Sequence, residues 1–163
     1  MGMNLNARLS EQCKIVTGFA PATPSTSTPD YVSLKGFQKF TAIIIVDNGN
    51  TVTGSAITLK QATAVAGTGE DVLAFTKAWR NIDTAASDTL TEFTVSSNTF
   101  TTDTTNAKNL LYVIEVDASE LNVAGGYDCV RVGTGDAANT VLSVIYILSG
   151  PRFGTNAFAA ITD

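Results

Sequence analysis

The residues of this chain that could do chemistry are few, and the commonest catalytic side chain is missing. The 163-residue sequence contains no histidine, the usual general base and metal ligand of enzymes. Cys13 and Cys129 are the only cysteines. Because the sequence has no histidine, neither thiol has that base to activate it as a nucleophile. No Gly-x-Ser-x-Gly motif occurs either. We therefore expect no catalytic residues and do not expect an enzyme.

Two carboxylates, Glu115 and Asp117, lie two residues apart in a predicted strand and would share one face. Such a pair could do acid–base work or hold calcium. The alternative is that Glu115 forms an ion pair with Arg131 on a neighbouring strand. The run Asp47–Asn50 begins like a calcium loop but lacks the later acidic ligands. We expect no metal site and no cofactor.

Two Gly-x-Gly sequences, Gly67–Glu70 and Gly133–Asp136, resemble the start of a phosphate-binding loop. Neither continues to a third glycine or to Gly-Lys-Ser/Thr, and neither opens a convincing helix. A tight turn that needs positive φ explains each of them, so we expect no phosphate site.

The cysteines and the apolar runs bear on where the protein is found. Cys13 lies near the N-terminus and Cys129 in a predicted strand, which favours two buried free thiols over a disulfide. Met1–Asn6 lacks a basic region followed by an apolar core, so we predict no signal peptide. The longest apolar runs, Ala42–Val46 and Val144–Leu148, are too short to span a bilayer. We expect a soluble protein made in the cytoplasm, without a membrane partner.

The composition argues against nucleic acid as a partner, because the formal net charge is −5. Charged residues make up only 15% of the chain, and Thr, Ser, Ala and Gly take the place of the usual surface Lys and Glu. Such a chain suits β-structure that buries much of its outside against other protein. The length fits one domain with a full core.

Aromatic residues next to arginine are the types enriched at interface hot spots. They occur at Trp79-Arg80 and at Arg152-Phe153. The alternative for Trp79-Arg80 is a core aromatic beside a solvated arginine. Phe153 and Phe158 fall in a late segment without strand character and are hard to bury, so we predict an interface there.

The scaffold is organised around Asn139–Phe153, whose centre is a nearly unbroken run of β-branched, aromatic and aliphatic residues. This pattern predicts a central strand covered on both faces. Phe40–Val46 and Leu110–Val116 are two more core strands. Strands recur about every ten residues without helices between them, so we predict a mainly β fold. The expected form is a single antiparallel β-sandwich or closed barrel, jelly-roll-like, with an extended N-terminal arm.

Shorter patterns fill in the connections. Asn48-Gly49 predicts a hairpin from Phe40–Val46 back into an alternating strand, Thr51–Gln61. Asp71–Ile82 fits both a helix and a strand, and its Val, Phe, Thr and Trp favour the strand. The segments 89–95 and 99–102 predict a polar hairpin near an edge. Three further predictions are a strand over Tyr127–Val132, a helical turn over Asp117–Leu121, and a cap on that turn from Asp117 or Ser119.

The first thirty residues are predicted to form an arm. Leu5–Val16 has apolar residues at helical spacing, and Phe19–Asp30 carries three of the four prolines and reads as a linker. An arm with an apolar stripe is expected to dock on a neighbouring subunit, the alternative being a floppy tail. We divide the chain into an arm (1–30), a β-sandwich domain (31–153) and a tail (154–163). The candidate interface residues are Leu5, Leu9, Phe19, Trp79, Arg80, Arg152, Phe153 and Phe158.

Over about Tyr31 to Phe153 the chain resembles small structural proteins of tailed bacteriophages that are encoded near the head genes. The resemblance rests on Tyr31–Lys35, Ala56–Ala62, Leu73–Phe75 leading to Trp79, Tyr112–Asp117 with Leu121, Tyr127–Val132 and Leu148–Phe153. It implies a virion component built on a β-sandwich, without catalytic residues. Among such phage proteins, the role that we expect first is that of a capsid decoration (cement) protein, which binds the major capsid protein lattice.

The resemblance leaves other roles open. The same fold would serve in the head–tail junction (neck) or in the tail. A receptor- or glycan-binding β-domain is a different class, for which Trp79 and Tyr127 would form the platform. We expect partners among the major capsid protein and other virion proteins, a homo-oligomer, and a location in the virion after synthesis in the host cytoplasm.

Overall fold

The computed structural model of the chain describes residues 6–105 and 108–152, which form one short α-helix, eleven strands and two 3₁₀ helices, Ala118–Glu120 and Val123–Gly125. The α-helix is α1 (Leu9–Gln12). The strands are β1 (Cys13–Ala22), β2 (Val32–Ser33), β3 (Lys39–Asp47), β4 (Ala56–Ala62), β5 (Asp71–Leu73), β6 (Lys77–Asn81), β7 (Thr91–Thr94), β8 (Thr99–Thr101), β9 (Asn109–Asp117), β10 (Cys129–Gly133) and β11 (Val141–Ser149).

The strands form two antiparallel sheets packed as a sandwich. Six strands follow the order β1-β11-β3-β9-β6-β7, and the other sheet has the order β2-β10-β4-β5 with β8 also paired to β4. This confirms the predicted mainly β antiparallel fold, as a sandwich rather than a closed barrel. The predicted central strand, β11, lies between β1 and β3.

The core lies between the sheets and takes one face of every long strand. In β3, β9 and β11 the even-numbered residues are buried, which follows from the two-residue period of a strand. The rings of Phe40 and Tyr146 pack at 4.9 Å in this core. Each aliphatic side chain that is fully buried stabilises the fold by about 1.5–3 kcal/mol.

The N-terminal segment differs from its prediction. Only Leu9–Gln12 is helical, and Cys13–Ala22 is an edge strand whose pairing with β11 runs from Cys13 to Ala22. The apolar residues of this segment fit a strand as well as a helix, and hydrogen bonding to the long central strand decides the outcome. The segment is therefore part of the six-stranded sheet and not an arm outside it. Its register with β11 shifts twice, after Thr17 and after Phe19.

Part of the predicted proline-rich linker is also ordered against the sheet. The backbone N–H of Asp30 donates to the carbonyl oxygen of Gly18 at 2.8 Å, which folds this segment back along β1. Pro24 and Pro29 are buried. The rest of the chain beyond Arg152, including the predicted tail, lies outside the described residues.

The predicted hairpin at Asn48-Gly49 is wrong, because β3 and β4 belong to different sheets. The chain bends at Asn50-Thr51, directly after Gly49, whose φ is +58°. Asn48 is fully buried, and its side-chain amide donates to the carbonyl oxygen of Asp103 at 2.7 Å. Because β9 and β11 already flank β3, the chain crosses to the opposite sheet instead of turning back.

Two other predictions are correct in type but not in extent. The ambiguous segment 71–82 is extended, but it is divided into β5 and β6, which lie in different sheets. The predicted polar hairpin has a tight turn at Ser97-Asn98, both with positive φ. Its strands then separate, since β7 pairs with β6 and β8 with β4. The helical turn after β9 spans Ala118–Glu120, as predicted, and Asp117 caps it.

Candidate interaction surface

The outer face of the six-stranded sheet carries a second set of apolar side chains. In β3, β9 and β11 the odd-numbered residues point away from the core, and the middle residue of each strand is aliphatic: Ile43, Val113 and Ile145. A strand of a sandwich usually alternates apolar and polar residues because one face meets water. These three strands depart from that rule, since both of their faces are apolar at the centre.

Strand register brings these side chains into one continuous patch. Ile145 lies opposite Ile43, Ile43 opposite Val113, and Val113 opposite Trp79, which gives one apolar row across four strands. We call the patch the apolar face. It consists of Ile15, Ile43, Ile45, Trp79, Leu111, Val113, Val141, Ile145 and Ile147.

The apolar face is open to solvent in the described chain. Ile15 and Ile45 are each 46% exposed and Val141 is 39% exposed, while the other members are half-buried. The five-stranded sheet covers only the opposite side. Single exposed aliphatic residues are ordinary on a protein surface, but a contiguous patch of nine marks an interaction site.

Polar and charged groups surround the apolar face. Lys39 and Asp47 are exposed at the two ends of β3. The hydroxyl of Thr41 donates to the Glu115 carboxylate at 3.3 Å. Beside Trp79, the Lys77 ammonium pairs with the Glu92 carboxylate at 2.9 Å. An apolar centre with a polar rim is the usual anatomy of a protein–protein interface.

The candidate interface residues chosen from the sequence do not all lie on this surface. Trp79 belongs to the apolar face. Its neighbour Arg80 lies on the other side of the same strand, where its guanidinium stacks on the ring of Phe93, 4.9 Å from the centroid. Phe19 is 5% exposed and packs in the core, so it presents no surface to a partner.

The remaining candidates are spread along the chain. Leu9 is 46% exposed on α1, next to the edge strand. Arg152 is exposed, and its backbone N–H donates to the carbonyl oxygen of Gly36 at 2.8 Å. Leu5, Phe153 and Phe158 lie outside the described residues. As interface residues, these five remain predictions.

The sequence contained a signal for the residues that were missed. Phe40–Val46 and Val144–Leu148 have apolar residues at odd and even positions alike, and for the second run this pattern predicted a strand covered on both faces. The fold covers one of those faces, and the second is covered by nothing in the described chain. Which neighbours join Ile43 into a patch depends on strand register, and that requires the structure.

A second cluster of polar groups lies on the outer side of the five-stranded sheet. Glu70 accepts hydrogen bonds from the hydroxyl of Tyr31 at 2.8 Å and from Nη2 of Arg131 at 2.7 Å. The Arg131 guanidinium also stacks on the Tyr31 ring at 5.2 Å, and Lys60 lies 3.6 Å from the carboxylate. The predicted Glu115–Arg131 pair is therefore wrong, because those two residues lie on different sheets.

The electrostatics of this cluster follow from its contacts. Partial burial raises the pKa of Glu70, but the hydrogen bonds from Arg131 and Tyr31 outweigh it, so the net pKa is lowered. Burial, with the hydrogen bond to Glu70, raises the pKa of Tyr31 to about 12. Tyr31, Arg131 and Lys60 all contact the Glu70 carboxylate, so the cluster fastens the 63–70 turn to the sheet.

Neither thiol has the environment of a nucleophile. Both cysteines are free and buried. Burial and the neighbouring Asp128 raise the pKa of Cys129 to about 12, and burial raises that of Cys13. Within the two described ranges no three His, Cys, Asp or Glu side chains gather into a metal-binding group. Gly67 and Gly69 both have positive φ, as predicted for a tight turn.

The two residues of the predicted glycan platform do not meet. Trp79 lies on the outer face of the six-stranded sheet. Tyr127 approaches Gly69, in the turn on the outer side of the five-stranded sheet. The two aromatic rings are therefore on opposite sides of the sandwich and cannot stack on one sugar.

None of the helical residues in the described chain forms a segment long and apolar enough to cross a membrane. No family model and no curated protein matches the sequence. Among solved structures, the fold is similar to the crystal structure of the SPBc2 prophage-derived protein YomS, over 84% of this chain and 93% of that chain. The two chains are 12% identical, and the TM-score is 0.45.

Proposed function

We propose that this protein is a structural subunit of a tailed-bacteriophage particle, a capsid decoration protein that binds the capsid lattice and stabilises it. In this proposal the apolar face is the surface that joins the subunit to other protein of the particle. No residue has a catalytic role, and the rigid sandwich presents the adhesive surface.

The observation that carries the proposal is the exposed apolar face. Burying the exposed part of one of its side chains contributes about 1 kcal/mol, so the nine together contribute roughly 5–10 kcal/mol. Association itself costs a comparable amount, about 4–15 kcal/mol. A single contact is then weak, and a lattice that holds many linked copies makes the attachment strong through avidity.

The sequence resemblance supplies the phage context. Its matching segments form the scaffold that displays the apolar face and the opposite sheet: Ala56–Ala62 is strand β4, and Tyr112–Asp117 lies in β9. Leu148–Phe153 begins at the end of β11. The low content of charged residues fits a surface that is covered by protein in the assembled particle.

The test is the copy number of this protein in purified phage particles. A decoration protein should approach the stoichiometry of the coat protein, whereas a neck or tail protein should be present in a handful of copies or in rings. The proposal of a decoration role is overturned by a low copy number, and the virion role itself by complete absence from particles.

Variants link that measurement to the surface. Ile43→Lys places a charge at the centre of the apolar face, and incorporation into particles should fall at least tenfold. Val123→Lys is the matched control, since Val123 is 63% exposed and lies outside the face. Equal incorporation of the two variants would show that the apolar face is not the attachment surface.

A further inference from the structure

Charges at the two ends of β3 are arranged symmetrically about its centre. The outward-facing residues of this strand are Lys39, Thr41, Ile43, Ile45 and Asp47. Lys39 and Asp47 are each four residues from Ile43, and their charges are opposite. Within residues 6–105 and 108–152 neither side chain takes part in an ion pair.

We propose that a second copy of this chain covers the apolar face, with the two six-stranded sheets stacked about a two-fold axis that passes through Ile43. This inference rests on the proposed function in one respect: it names a second copy of the chain as the first protein to cover the apolar face. The second copy occupies the apolar face in free solution and is exchanged for capsid protein when the subunit joins the particle.

Charge decides between the two ways of stacking the faces. With the axis across the strands, β3 of one copy runs antiparallel over β3 of the other, and Lys39 of each lies over Asp47 of its counterpart. With the axis along the strands, Lys39 meets Lys39 and Asp47 meets Asp47. The antiparallel arrangement gains two ion pairs, and the other brings like charges together.

The rest of the rim agrees with the antiparallel arrangement. In β9 the acidic residues Glu115 and Asp117 are at one end, and Leu111 and Asn109 are at the other. Stacking β9 antiparallel on its counterpart places each carboxylate over a neutral residue. No like charges of these strands are opposed.

The dimensions of the face suit a two-sheet stack. Packed sheets are about 10 Å apart and rotated by about 30°. Lys39 is about 13 Å from the axis, so this rotation displaces it sideways by about 7 Å from Asp47 of the other copy, which a long lysine side chain spans. The 46 residues of the six strands cover about 700 Å², close to the roughly 800 Å² per partner of a standard interface.

The first test is the mass of the protein in solution, by sedimentation equilibrium or by light scattering over a wide concentration range. The wild-type protein should show twice the chain mass of 17.0 kDa at high micromolar concentration and dissociate on dilution. Ile43→Lys should be monomeric throughout, and Val123→Lys should behave like the wild type. Circular dichroism confirms that each variant is folded. A wild-type protein that stays monomeric overturns the proposal.

A charge exchange tests the orientation without depending on the apolar centre. Lys39→Asp and Asp47→Lys each replace two ion pairs by two like-charge contacts, so each should raise the dimer Kd by roughly tenfold. The double variant Lys39→Asp/Asp47→Lys restores opposite charges and should return the Kd to near the wild-type value. A double variant that dimerises more weakly than both single variants contradicts the antiparallel arrangement.

Trp79 gives an independent signal, because it is the only tryptophan and lies in the same cross-strand row as Ile43. Its emission should shift to longer wavelength as the dimer dissociates on dilution, and acrylamide should then quench it more strongly. The same measurement on Ile43→Lys should show no dependence on concentration. An unchanged spectrum in the wild-type protein counts against burial of this row.

The outcomes separate this inference from the proposed function. A monomeric protein that still enters particles through the apolar face refutes the dimer and keeps the decoration role, with capsid protein as the occupant. A dimer that never enters particles refutes the decoration role and keeps the dimer.

Discussion

The backbone N–H of Val132 donates a hydrogen bond to the hydroxyl oxygen of Tyr146 at 3.1 Å, across the middle of the sandwich. Val132 belongs to the five-stranded sheet and Tyr146 to the six-stranded sheet, and both are fully buried. The bond therefore ties the two sheets together at a point that water does not reach.

Removing this hydroxyl should destabilise the fold. Tyr146→Phe keeps the ring but leaves the buried N–H of Val132 without its acceptor, so the free energy of unfolding should fall by about 1–3 kcal/mol. Urea denaturation followed by far-ultraviolet circular dichroism measures the change. Tyr127→Phe, at a half-buried loop position, is the control and should change stability by less than about 0.5 kcal/mol. Equal stability of the two variants would show that the hydrogen bond does not contribute.

The ring of Tyr146 also sets the size of the residue at position 18. A Cβ on Gly18 would overlap Cε2 and Cζ of that ring. Gly18→Ala should therefore cost about 1–3 kcal/mol of stability through overpacking. In the background Tyr146→Leu the same substitution should cost less, because the clashing ring carbons are gone. An additive pair of effects would contradict the close packing of these two residues.

Acid should weaken the fold through Glu70. Its pKa is lowered in the folded protein from the usual 4.5, so its hydrogen bonds stabilise the folded state above that pH. The contribution should be lost as the pH falls below about 4.5 through the folded-state pKa. Glu70→Gln should therefore be less stable than the wild type at pH 7, with a difference that shrinks toward pH 3. A difference that is the same at both pH values would rule out this linkage.

The buried thiols should be unreactive in the native protein. Cys129 is 2% exposed and has its pKa raised to about 12, so little thiolate is present at pH 8. A thiol reagent such as 5,5′-dithiobis(2-nitrobenzoic acid) should label neither cysteine rapidly in buffer. It should label both in guanidinium chloride without prior reduction. Rapid native labelling, or labelling that needs a reductant, would each contradict the structure.

The central architecture could be predicted because three strands are nearly pure runs of β-forming residues. The predicted core strands Phe40–Val46 and Leu110–Val116 lie within the observed β3 and β9. Their neighbours in the sheet could not be predicted, since pairing of distant segments leaves no local pattern. Asn48-Gly49 was interpreted as a hairpin, but the chain crosses there to the opposite sheet.

The candidate surface was predictable only in part. Trp79 was chosen because of its residue type, and it does lie on the apolar face. Phe19 was chosen on the assumption of a linker, and pairing of β1 with β11 buries it instead. The isoleucines of the face were taken for core residues, since a sequence does not indicate how many layers will cover a strand.

The two register shifts in β1 have a consequence for assembly. Together with Pro21, which has no N–H to donate, they make β1, one of the two edge strands of the six-stranded sheet, a poor template for another strand. Growth into ribbons or fibrils by strand addition at this edge is thereby disfavoured. In the proposed dimer each molecule covers the apolar face of the other, which leaves no such surface for a third molecule.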